Sequence, residues 1–64
     1  MKKRKWLIKK REGKRKSQEQ LAEECNVTQM AISNIENGYR RPSPELAKKI
    51  AEALDFEWTK FYEK

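Results

Sequence analysis

Apolar positions recur at helical spacing along most of the chain. Leu7, flanked by Trp6 and Ile8, marks a first helix over residues 4–12, with Gly13 expected to end it. Leu21, Ala22 and Cys25 fall on one face of a second helix, which opens with the capping box Ser17-x-x-Gln20. Ile32 and Ile35 lie three apart on a third helix over residues 29–37, stopped by Gly38. Ser43, Pro44 and Glu45 give a cap, a first-position proline and a first-turn acid. Leu46, Ala47, Ile50, Ala51 and Leu54 then form the apolar stripe of a fourth helix. Asp55-Phe56 breaks it, and residues 57–62 make a last helical turn or two carrying Trp58, Phe61 and Tyr62. The pattern predicts an all-α chain.

The junction between the second and third helices is short. Asn26 tolerates a left-handed backbone and can turn the chain sharply. Thr28 can cap the third helix, and Val27 can plug the angle between the two. This is a helix-turn-helix arrangement. Its second helix exposes Gln29, Met30, Ser33 and Asn34 on the face away from Ile32 and Ile35. Uncharged hydrogen-bonding side chains on a short helix suit base edges in a major groove, where Gln can bond adenine bidentately and Met can rest on a thymine methyl. An ordinary helical hairpin with a polar outer face has the same periodicity.

The ordered set SQEQLA, then Leu21, Cys25, Val27, Ile32 and Ile35, then IENG, then RRPSPELAKKIAEAL resembles the Cro/phage-repressor type of helix-turn-helix, the xenobiotic-response-element family. The resemblance runs from about Leu7 to Tyr62. It implies a compact five-helix, lambda-repressor-like fold and a DNA-binding transcriptional regulator of bacterial or phage type. It places Arg11 where the family carries an arginine paired with a glutamate near the end of the recognition helix, here Glu36. It puts Gln18 where a glutamine bridges backbone and base contacts, and Arg40 and Arg41 in a loop that touches phosphate. The phosphate set expected on this basis is Gln18, Thr28, Asn37, Arg40 and Arg41, with Lys16 added from the basic run 14–16. That run departs from the family, which has an apolar residue before the helix-opening Ser17. Either the Lys16 stem packs there with its amine turned outward, or this corner is loose. Phe61 is expected to close the core. Trp58 and Tyr62 exceed what the family core needs, which makes them candidates for a dimer seam.

Charge sharpens the picture. Net charge is +6, but residues 1–16 hold ten Lys/Arg against one Glu, or +9, and the rest carries −3. A basic end suggests a polyanionic partner; a solvated, solubilising tail over Lys2–Lys5 is the alternative. Sixty-four residues make one domain, 1–64, with residues 1–5 as a basic extension. The lone Cys25 excludes an internal disulfide, and at a core position a small buried hydrophobe is the default over a redox-sensing thiol. With no His and no convergent carboxylates, no catalytic set, metal site or cofactor is expected. The run Trp6-Leu7-Ile8 is too short for a signal peptide or a membrane span, and a cytoplasmic, nucleoid-associated location is expected. The leading reading is a repressor that binds double-stranded DNA at a palindromic operator as a homodimer. The alternative is a protein-interaction module, an antitoxin or anti-repressor, with the aromatic C-terminus as its partner site.

Overall fold

In a computed structural model, residues 3–62 of the chain are described. Four α-helices, α1 (Lys5–Gly13), α2 (Gln18–Glu24), α3 (Gln29–Glu36) and α4 (Pro44–Leu54), are followed by a 3-10 helix, Trp58–Tyr62. The described residues contain no strand. The all-α expectation holds, with the fifth helix in the tighter 3-10 form. Three helices open on the hydroxyl caps read from the sequence. Ser17 forms a capping box with Gln20, Thr28 Oγ1 accepts from the Ala31 N–H, and Ser43 Oγ accepts from the Leu46 N–H.

All four α-helices end on a left-handed residue: Arg15, Asn26, Gly38 and Asp55. In each case the next N–H reaches back into the last turn: Lys16 to Arg11, Val27 to Ala22, Tyr39 to Asn34 and Phe56 to Ala51. These bonds satisfy carbonyls that the helix leaves open. α1 ends at Gly13, as expected, but Gly13 is not the left-handed residue. Gly13 lies inside the last turn, and the reversal occurs at Arg15, with φ 57°. The side chain of Arg11 fixes that position, because its Nη1 donates to the Lys16 carbonyl at 2.8 Å.

Each helix turns its apolar stripe to one core. Leu7 comes from α1, Leu21 and Ala22 from α2, with Cys25 after them, and Ile32 and Ile35 from α3. Ala47, Ile50 and Leu54 come from α4, and Phe61 closes the end. Trp6, Phe56 and Phe61 form a triangle of tilted rings with centroids 5.2 to 5.7 Å apart. Phe56, read as part of a break, is therefore one corner of a satellite cluster at the edge of the core. Such ring pairs contribute about 0.5–1.5 kcal/mol each beyond their buried area. The Lys16 corner is tied rather than loose: Nζ donates to Glu24 Oε1 at 2.7 Å and to the Ala53 carbonyl at 3.2 Å. A polar clip to α2 and α4 replaces the missing apolar staple.

Candidate nucleic-acid interface

The second helix of the helix-turn-helix is α3. Ile32 and Ile35 bury one side of it, so the opposite side faces solvent. Met30 is 71% exposed, although it is among the largest apolar side chains of the helix. Gln29 is exposed, and Ser33 and Asn34 are partly so. Gln18, from the first turn of α2, joins this face. Gln18, Gln29, Met30 and Ser33 line one shallow open depression. Gln29 Nε2 donates to Gln18 Oε1 at 3.4 Å, a long and easily exchanged bond. The first-turn glutamines of both motif helices thus lie side by side.

Glu36 sets the orientation of this face. It is 1% exposed, a charge buried at the end of α3. Arg11 Nε donates to its Oε2 at 2.6 Å and Arg11 Nη2 to its Oε1 at 3.3 Å. Gln18 Nε2 donates to the same Oε1 at 2.9 Å. A buried carboxylate is tolerated only when paired and hydrogen-bonded, and this fork-to-fork geometry supplies both. The network locks α1, α2 and α3 into one register. Gln18 therefore has two duties: its amide nitrogen holds Glu36, while its oxygen is left near Gln29.

The other expected phosphate residues are placed unevenly. The Thr28 hydroxyl accepts the Ala31 N–H at 3.1 Å, which leaves its own proton to donate at the exposed start of α3. Asn37 Nδ2 donates to Ser33 Oγ at 3.3 Å, linking the end of the helix to its outer face. Arg40 and Arg41 are exposed in the loop after Gly38, and Tyr39 beside them is 63% exposed. Lys16 differs from Arg40 and Arg41 in that its side chain has hydrogen-bond partners among the described residues. Its amine donates to Glu24 and to the Ala53 carbonyl.

Arg4 was missed as an individual in the run KKRK. It is not part of a free extension: its backbone N–H donates to the Glu36 carbonyl at 2.7 Å, and its Nη1 to the Ile35 carbonyl at 2.6 Å. Nothing in the local sequence separates it from its basic neighbours. Trp58 and Tyr62 stack edge-to-face at 5.7 Å, apart from the core triangle. Tyr62 is 39% exposed and Trp58 partly buried. Among the described residues no cluster of ligating side chains could hold a metal ion, and no helix is long and apolar enough to cross a membrane.

A helix-turn-helix family model matches residues 7–61. The chain belongs to the helix-turn-helix family. This is the Cro/phage-repressor type that the motif residues resemble, a family of DNA-binding transcriptional regulators. The chain is also similar to the uncharacterized HTH-type transcriptional regulator YqaF of Bacillus subtilis (strain 168), at 45% identity over 60 residues. That match covers 94% of this chain and 79% of the relative.

Proposed function

We propose that this regulator is a repressor that binds a palindromic operator in the cytoplasm as a two-fold homodimer. In this reading α3 lies in the major groove, and Gln29, Met30, Ser33 and Asn34 read base edges. Gln18, Thr28, Asn37, Arg40 and Arg41 hold the backbone. The observation that carries the reading is the outer face of α3. It is polar and uncharged apart from an exposed Met30, while the acid on the helix is buried and neutralised. Base edges can be met by such a face without repulsion from phosphate. One domain covers only a few base pairs, and a two-fold pair would read two half-sites about 34–36 Å apart. The exposed part of the Trp58–Tyr62 pair is the proposed seam.

The test is a selection from random DNA with wild type, Gln29→Ala, Asn34→Ala and Arg41→Ala. The first two should relax preference at single positions by about 1–3 kcal/mol each. Arg41→Ala should weaken all sequences alike. Recovery of the wild-type site by both reading-face variants would show that α3 is not the reader. Sedimentation of Trp58→Ser/Tyr62→Ser checks the seam: an undiminished dimer places it elsewhere.

A further inference from the structure

Residues 39–43 form the loop that carries Arg40 and Arg41 from α3 to α4. Side chains from either side of the four α-helices, Arg4 and Tyr62, grip it. Arg4 Nη1, besides its bond to Ile35, donates to the Arg40 carbonyl at 3.0 Å. The Tyr62 hydroxyl donates to the Pro42 carbonyl at 3.4 Å. Those two carbonyls flank Arg41 along the backbone. The Arg41 guanidinium itself lies over the Tyr62 ring, 5.9 Å from its centroid, and the Arg4 guanidinium over Phe61, at 6.0 Å. Arg4 therefore joins four things: the last turn of α3, the loop, α1 and the 3-10 helix.

We propose that Arg4 and Tyr62 are positioning residues for DNA binding, forming a clasp that fixes the Arg41 loop in its binding conformation before DNA arrives. The proposal rests on the reading of Arg41 as a phosphate contact. A loop already fixed loses little conformational freedom on binding, so more of its contact energy appears as affinity. Arg4 is suited to this task because the two protons of its Nη1 meet two carbonyls at once, at the negative end of α3, while the flat guanidinium lies over Phe61. Lysine keeps the charge, but its ammonium sits one bond closer to the backbone and has no flat face to lay on the Phe61 ring. Burial, and then the nearby charge of Arg41, push the Arg4 pKa down, as expected for a cation held by structure beside a second cation. A phosphate at Arg41 would relieve that repulsion.

The experiment uses the full chain and a short duplex of random sequence, so that backbone contacts dominate. Arg4→Lys and Tyr62→Phe are made alone and with Arg41→Ala, and circular dichroism verifies that each is folded at the temperature used. Tyr62→Phe keeps the ring and its exposed face, so the proposed dimer seam is undisturbed. Arg4→Lys should weaken binding roughly threefold to tenfold and Tyr62→Phe about twofold. Both losses should vanish in the Arg41→Ala background. In the free protein, amide order parameters at Arg40 and Arg41 should fall in both variants. Wild-type affinity for Arg4→Lys, or losses that persist undiminished without the Arg41 side chain, would overturn the clasp. So would unchanged order parameters. If Arg41→Ala alone binds like wild type, the phosphate reading fails and takes the role of the clasp in DNA binding with it. The order parameters separate that outcome, because they report the grip on the loop without DNA.

Discussion

A left-handed backbone at Arg15 is a cost that glycine would not incur, and Gly13 two residues earlier occupies a helical turn where alanine would do better. Arg15→Gly should therefore stabilise the protein by about 0.5–1 kcal/mol. Gly13→Ala should add about 0.5–1 kcal/mol, since the new methyl meets nothing within 4 Å. Urea unfolding of both variants is the check, and a loss of stability in Arg15→Gly would contradict the account of this helix end. The sequence marks the end of α1 at Gly13 but not the left-handed turn at Arg15, because glycine is the usual residue for such a turn. The turn at Arg15 is held by the reach of Arg11 to the Lys16 carbonyl, a contact that no local pattern encodes. Cys25 is the opposite case: it is buried, as its place in the motif implies. Burial, then the charge of Glu24, raises its thiol pKa. The unfolded chain thus loses this proton at lower pH than the native one does. Stability from the buried neutral thiol is complete below the unfolded pKa and is lost as pH rises through the folded one. Cys25→Ala should flatten that alkaline decline in a urea midpoint measured against pH.

The recognition helix has little stability of its own, being eight residues long. Its position comes from Ile32 and Ile35 on the core and from Glu36 held by Arg11 and Gln18. Removing Arg11 leaves a carboxylate buried without its countercharge. Arg11→Ala should cost roughly 3–5 kcal/mol, lowered somewhat by the partial exposure of the arginine. Arg11→Ala/Glu36→Ala should cost clearly less than the sum of the single changes. Chemical denaturation of the three variants measures this, and simple additivity would mean that the pair does not act as a unit. At this scale much was legible. Three caps, the turn at Asn26 and the stripe of α4 follow from short-range rules that use only neighbouring residues. The bonds of Gln18 to Glu36 and of Arg4 to the end of α3 span 18 and more than 30 positions. Such contacts depend on how the helices assemble, so spacing alone could not show them. The same limit explains Lys16, which reads as one of three solvated cations until α4 brings the Ala53 carbonyl beside it.

Across the whole molecule, cations are concentrated in the first sixteen residues and in the loop after α3. If each subunit neutralises four to six phosphates, log affinity should fall against log salt with a slope of about −4 to −5 per subunit. A titration of binding against potassium chloride reads it directly, and a flat response would argue against backbone contacts as the main attraction. Arg4 and Tyr62, near the two limits of the described residues, both reach the loop after α3, and Lys10, Lys48 and Lys60 each lie over an aromatic ring. The exposure of Met30 has a different kind of consequence. A side chain that supports nothing can be exchanged without loosening the molecule. Substitutions at Met30 should therefore leave the melting temperature nearly unchanged, whatever they do to the site recognised. A lineage could then move from one operator to another by single steps at this position, with no unstable intermediate to select against.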